Sequence, residues 1–441
     1  MDAAVFAVIA VGFVWLFLAL RREYWRVALR QIVANRVAMV SFGVLLLYFA
    51  VGFLDTLHYK NIDADGNAGP TISVLDRLCR RLKDRPEKSY SAPLDAHLYA
   101  KETVTDPAGH QTRVYPRLEY AGKGLEDAEI DADIHARLLR GFLWGLGAGI
   151  LFLAAMIGGI FTARSGRFER ARAVRMAFYV GGFLTVVSIF VAEAVVMSGG
   201  YHLFGTSKAG VDVFYATLKS VRTAMVLGTI TTLIVTPFAI LFGSLAGYFG
   251  GYVDDAVQYV YTTLDSIPDI LLIAAAMLIV QVGMSQEETI FTADRRLFYL
   301  CLILGITSWT TLCRFIRAEV LKLREIEYIQ AADAFGIGHA KILFRHLVPN
   351  VMHIVLISTV LRFSGLVLVE AILAYIGIGV DPSMDSWGNM IRDSLLELAR
   401  DPIVWWNLLA AFIFMLGLVL PANLFGDALR DALDPRLRKS T

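Results

Sequence analysis

Tyr328-Ile-Gln-Ala-Ala-Asp-Ala-Phe-Gly336, followed by Phe344-Arg-His-Leu-Val-Pro-Asn350, is a polar, charged segment set between apolar runs long enough to cross a bilayer. Ala331, Ala332 and Ala334 predict a helix with a small-residue surface that another backbone can approach closely. Gly336 supplies a residue able to take φ > 0 and end that helix. A second amphipathic stretch, His339 to Leu347, is expected to stop before Pro349, whose predecessor is biased away from α. Two short helices joined by a glycine turn make a knob. A membrane protein keeps such a segment on an aqueous face, where a partner can grip it and deliver energy.

The surroundings of that knob are strongly apolar. Of the 441 residues, 56% are hydrophobic and 18% charged, and mean hydropathy is +0.58. Soluble domains lie nearer 45–50% and about 25%. Net charge of +1 leaves no polyanion footprint, which excludes nucleic acid as a bulk partner. The knob's Ala-then-Gly pattern also occurs in DNA-binding helix-turn-helix units, but apolar spans ending close by on both sides argue against that use. Cys79, Cys301 and Cys313 have no metal-type spacing. Cys301 and Cys313 fall in one apolar segment and read as small buried side chains, while Cys79 is expected outside the lipid.

Apolar blocks near the ~20-residue spanning length fall at 3–20, 37–54, 141–162, 176–197, 222–246, 256–283, 297–315, 352–378 and 403–424. The first is read as an uncleaved span, because Arg21-Arg22 follows it instead of preceding it. Nine spans place the two termini on opposite sides. Basic residues concentrate in the 21–36, 163–175 and 316–351 loops and in the tail, which share one side. That side is expected to be cytoplasmic. The 247–255 loop dissents mildly, with Asp254 and Asp255 and no base. Segment 55–140, rich in charge, Pro and Gly, is expected outside as a small folded appendage. Trp405 and Trp406 are expected at the outer interface.

The knob resembles the "EAA" coupling loop of bacterial ABC importer permeases, and the likeness extends along 201–441. His202-Leu-Phe-Gly-Thr206 with Gly210 and Asp212, Ala246-Gly-Tyr-Phe-Gly-Gly251, Ser386-Trp-Gly-Asn-Met390, and Asn423 through Asp434-Pro-Arg436 fall in the order of one branch. That branch is the dipeptide/oligopeptide (and nickel) permease family, C-type subunit. Val33-Ala-Asn-Arg-Val-Ala-Met-Val40 and the span after it extend the likeness. Three positions depart from the pattern: Gln330 for the usual glutamate, Ser207 for an acidic residue, and Val211 for an arginine.

The resemblance implies an all-α polytopic membrane protein, an ABC type I importer transmembrane domain; the extra N-terminal spans and the external segment are read from the apolar pattern and lie beyond the resemblance. The expected organisation is two spans in 1–54, a periplasmic segment 55–140, an additional hairpin 141–197, and the permease core 198–441 with its coupling loop at 316–351. The chain would be a permease subunit of the bacterial inner membrane that moves di- or oligopeptides. It would pair with a homologous second permease, two ATPase subunits and a periplasmic solute-binding protein. Its N-terminus would be periplasmic and its C-terminus cytoplasmic. ATP with Mg would bind the ATPase partners, since no Gly-x4-Gly-Lys-Ser/Thr loop occurs here. Tyr328, Gln330, Ala331, Ala332, Phe335, Gly336, Arg345, His346 and Asn350 are the expected coupling residues.

Other features are weighed beside these. Glu370, deep in an apolar run, is a candidate for the translocation path or for a bond between helices. Arg362 lies too far from it for close helical pairing. Asn61-x-Asp63-x-Asp65-Gly66 resembles the start of a calcium loop, yet Ile72 stands where the bidentate glutamate belongs, so a plain turn is expected. The rival reading is a secondary transporter driven by ion gradients through carboxylates such as Glu370. It predicts inverted repeats and helices interrupted near the midplane, and the sequence is read as holding neither. No nucleophile–base or metal constellation supports an enzyme.

Overall fold

The structure, a computed structural model, describes residues 23–62, 68–105, 111–162, 167–284 and 292–433. The block at 3–20, the turn holding Asp63 and Asp65, and the tail from 434 lie outside the described residues. Helix α1 (Glu23–Ala34) is followed by α2 (Arg36–Thr56). Asn35 starts α2 by accepting the Val37 and Ala38 amides at 3.0 and 3.3 Å. Strands β1 (His58–Ile62) and β2 (Ala68–Ser73) pair antiparallel, with Tyr59 opposite Ile72. Short helices α3 (Val74–Leu78) and α4 (Arg80–Lys83) precede a second antiparallel pair, β3 (Glu102–Thr105) and β4 (Gln111–Val114).

Long helices then dominate: α5 (Asp127–Thr162), α6 (Arg167–Met197) and α7 (Val213–Phe249). They are followed by α8 (Gly251–Asp265), α9 (Asp269–Met284), α10 (Thr292–Thr307) and α11 (Thr310–Arg324). The short α12 (Glu327–Ala334) and α13 (His339–Ile342) lead into α14 (Val348–Tyr375), then α15 (Trp387–Leu398) and α16 (Trp406–Leu433). Among the described residues, seven helices are long and apolar enough to cross a membrane, with α10–α11 and α13–α14 each counted as one span, and the pair α8–α9 makes up to eight. These match the eight later apolar blocks in position.

The block at 256–283 corrects the expectation of one straight span. Its two helices meet at 82°. The break holds Pro268, which has no amide to donate and drives Ile267 out of helical space. A hydropathy window averages across that corner. Trp406 is a second correction: only Trp405 is exposed, at 48%, while Trp406 is 1% exposed and donates its indole to the Thr206 carbonyl at 3.0 Å. An indole with a bonded N–H is at home in a core.

The chain forms two compact units. One is built on Ala224–Met384 with the described part of Val419–Thr441. Val235, Leu312, Ile316 and Val320 pack there with Ile329, Ile342, Leu347 and Val351, so the inner face of the knob belongs to a core. A second cluster joins Leu227, Ile273, Met277, Leu300, Leu366 and Leu373.

The other unit is built on Val33–Thr223 and Asp385–Leu418. Its 55–140 segment is folded, with Ala96, Leu98, Leu118 and Ala121 packed against Ile130, Met197 and Tyr201. Helix α5 begins at Asp127, well before the apolar block at 141. Gly141, Gly145 and Gly149 recur every fourth residue of α5 and face Glu193, Ile189 and Thr185 of α6. A Cβ on Gly145 would lie 2.7 Å from both the Ile189 nitrogen and the Ser188 carbonyl oxygen. Such closeness requires glycine, and it lets the Ser188 hydroxyl donate to the Gly145 carbonyl at 2.9 Å.

Candidate functional site

Helix α12 has one buried and one open face. Ile329 and Ala332, three residues apart, are 2% and 7% exposed and point into the core, while Tyr328, Gln330 and Ala331 face outward. Ala332 packs in the core cluster and holds the knob down, so the open small-residue surface of α12 is at Ala331 and Ala334. The C-terminus of α12 closes with a Schellman pair. Ile337 donates to the Ala332 carbonyl at 3.1 Å and Gly336 to that of Asp333 at 2.8 Å, with Gly336 at φ +75°. Nothing lies within 4 Å of the position a Gly336 Cβ would take, and the neighbouring Phe335 is 86% exposed. Turn and ring form the outward tip.

The second half of the knob is not a separate short helix. Rather than stopping before Pro349, the chain passes through a π turn, Leu343–Leu347, into α14, with Pro349 in its first turn. Proline lacks the donor whose partners are rearranged there, so the helix continues. Asn350 braces the two halves: its amide donates to the Tyr328 hydroxyl and to the His346 carbonyl, both at 2.8 Å. The Tyr328 and His346 ring centres stand 6.3 Å apart. Arg345 and Phe344 are exposed beside them.

Gln330 reaches back to the Glu325 carbonyl at 3.3 Å. A glutamate there would meet the Glu325 carboxylate with like charge, so the amide suits this neighbourhood. The structure thus brings Tyr328, His346 and Asn350 together and presents Gln330, Ala331, Phe335, Gly336 and Arg345 outward. Glu370 is elsewhere, some 30 Å along α14 from Asn350 at ~1.5 Å per residue, and is 3% exposed. That burial places it among packed helices.

Several supports were not legible in the sequence. Asp254, which had no base in its own loop, accepts a two-pronged bond from Arg317 at 2.5 and 2.6 Å. The Tyr248 hydroxyl and His339 Nδ1 are 2.9 Å apart, tying the family-like glycine motif to the start of α13. Arg362 donates to the Ser308 carbonyl at the break between α10 and α11. Ser364 donates to Asn423 at 2.6 Å.

A buried polar lock organises the other motif. His202 Nδ1 is 2.7 Å from Asp212, and its Nε2 is 3.6 Å from Glu87 in the 55–140 segment. Glu87 also accepts the Glu119 and Tyr120 amides at 2.9 and 3.0 Å. Burial opposes a charge on His202, but the Asp212 and Glu87 carboxylates outweigh it and hold the imidazole pKa up at about 9. Burial likewise opposes the Glu87 charge, and His202 with the two amides overcomes it and lowers its pKa.

Residues 239–439, which contain the knob and its braces, match the family of binding-protein-dependent transport system inner membrane components. The oligopeptide transport system permease protein OppC of Bacillus subtilis is 32% identical over 238 residues, 54% of this chain and 73% of that protein. The chain belongs to this family. The dipeptide transport system permease protein DppC of Bacillus subtilis is 29% identical over 263 residues, covering 59% of this chain and 78% of its own length. OppC of Mycobacterium bovis is 35% identical over 240 residues, covering 54% and 78%. Members of the family are permease components, and ATP hydrolysis is carried out by separate subunits. The extra segment and the α5–α6 hairpin precede the matched residues 239–439.

Proposed function

We propose that this chain is the C-type permease subunit of an ATP-driven importer that moves di- or oligopeptides across the bacterial inner membrane. The reading is carried by the braced knob whose tip, Phe335 and Gly336, stands open. It is supported by the peptide permeases among the chain's relatives. Tyr328, Gln330, Ala331, Phe335, Gly336 and Arg345 meet a cleft of an ATPase subunit, with His346 and Asn350 holding their shape and Ala332 anchoring them. Two ATPases bind ATP with Mg, a homologous second permease completes the pathway, and a solute-binding protein delivers peptide from the opposite side.

Eight crossings return the chain to its starting side, so residues 23–35 and the end of α16 share a side with the knob. The Lys and Arg content of those loops makes that side cytoplasmic. Segment 55–140 is then periplasmic. Closure of the ATPases moves the knob and tilts the helices that continue from it, a hinge-and-shear switch between two packings. Glu370 serves as a link between helices instead of lining the path.

The test is co-reconstitution of this chain with its second permease, both ATPases and the binding protein in proteoliposomes, followed by uptake of labelled peptide. ATP-dependent uptake that fails when either the ATPases or the binding protein is omitted is the expected result. Uptake driven by an ion gradient without ATPases would overturn the proposal and favour a secondary transporter.

A further inference from the structure

The extra segment and the end of α6 line a basic cavity that the coupling proposal does not involve. It has a volume of about 380 Å³ and is lined by Arg85, Tyr120, Lys123, Arg137, Gly199 and Gly200. An adjoining recess adds Arg81. Arg137 is paired with Asp133 at 2.7 Å. Among the described residues, Arg81, Arg85 and Lys123 have no carboxylate partner. Arg85 and Lys123 each stand 6.0 Å from the centre of the Tyr120 ring, and both line the cavity. Uncompensated like charges around a concavity repel one another until an anion enters.

The height of the cavity identifies the class of anion. On α5, Arg137 comes four residues before the apolar stretch that starts at Gly141, about 6 Å of helix, and Phe142 and Trp144 within that stretch are 43% and 72% exposed. On α6, Val191 and Val195 are 47% and 61% exposed, and the helix ends at Met197, directly before Gly199 and Gly200. Both walls therefore pass from the apolar stretch to the cavity within about one helical turn. That is headgroup level, just beyond the ~30 Å hydrocarbon layer. The space far exceeds the roughly 30 Å³ share of one water, leaving room for a phosphate group.

We propose that Arg85, Lys123 and Arg137 form a phosphate-oxyanion site that holds the headgroup of an anionic phospholipid at the end of the α5–α6 hairpin. Arginine suits this task because its planar fork meets phosphate oxygens in pairs, and basic pockets beside membrane helices bind such headgroups. The assignment rests on the membrane placement of α5 and α6 and is independent of which solute is imported.

The test uses the full chain, purified in detergent and stripped of lipid, then titrated with phosphatidylglycerol, phosphatidylcholine or inorganic phosphate and read by native mass spectrometry. Phosphatidylglycerol is expected to bind more tightly than phosphatidylcholine. The double variant Arg85→Gln/Lys123→Gln should weaken phosphatidylglycerol roughly 30-fold, from ~1 kcal/mol per basic residue near an anionic surface and 1.4 kcal/mol per tenfold. Lys123→Gln alone alters an exposed side chain and should give part of that loss, which separates site damage from misfolding. Arg80→Gln, exposed and outside the cavity lining, should give none. Equal phosphatidylglycerol binding by wild type and the double variant would overturn the site. Binding of inorganic phosphate with no advantage for phosphatidylglycerol would overturn the lipid as its source.

Discussion

Substitution at Gly336 separates the shape of the knob from the surface it presents. The residue sits at φ +75° with nothing within 4 Å of a Cβ, so a side chain meets no neighbour and the only intrinsic cost is backbone strain. For alanine that cost is about 1–2 kcal/mol. Asparagine tolerates the left-handed region better, so its cost should be a few tenths of a kcal/mol. Gly336→Asn therefore preserves the Schellman closure while adding atoms to the tip, and Gly336→Arg adds more. If the tip docks into an ATPase cleft, a side chain that costs docking ~1.4 kcal/mol lowers coupling tenfold. We expect Gly336→Asn to transport peptide about tenfold more slowly at an unchanged melting temperature, and Gly336→Arg to be inactive. The assay is ATP-driven uptake in proteoliposomes beside thermal melting of the purified chain. Wild-type uptake by both variants would refute docking at this tip. Activity loss that merely tracked melting across Ala, Asn and Arg would show that the fold of the turn, and not its face, was being measured.

The lock at His202 should make the unit that contains it pH-sensitive. Because its folded pKa of about 9 stands above the ordinary 6.5, its contribution is complete below pH 6.5 and is lost as pH rises through about 9. The shift corresponds to about 3 kcal/mol, and His202→Gln should remove that pH dependence from melting curves between pH 6 and 9.5. Gly145→Val places atoms on the Ile189 backbone and should destabilise the α5–α6 hairpin by on the order of 3 kcal/mol in thermal melts, whereas Gly147→Ala, with nothing within 4 Å, should be close to neutral. Arg317→Met leaves the mostly buried Asp254 carboxylate without its fork and should cost about 2–3 kcal/mol. Adding Asp254→Asn should recover part of that, and a double-mutant cycle that gave simple additivity would contradict the pairing.

Membrane spans and the knob were legible because both depend on local sequence: apolar length sets the first, and the alanine-rich helix with its Gly336 turn sets the second. Features that failed to show depend on single residues inside an otherwise consistent pattern, or on partners distant in sequence. Pro268 bends an apolar run that averages as continuous. Pro349 looks like a helix end until the π turn at Leu343–Leu347 accommodates it. Ala332 and Ala331 are the same residue type on opposite faces, which only the packing of Ile329 distinguishes. Glu87 meets His202 across an insertion whose sequence has no pattern to read, and Asp254 meets Arg317 between helices. The departure at Gln330 was visible, but its reason, the adjacent Glu325, required the fold.

The π turn has a mechanical consequence. Since the knob runs without a break into α14, whose 28 residues measure about 42 Å, displacement of the tip is delivered to a rigid lever and not to a tether. A tilt of about 5° at the near end would sweep the far end through roughly 4 Å, comparable to the spacing between packed side chains. The turn at Leu343–Leu347 is what carries that rod past Pro349 unbroken.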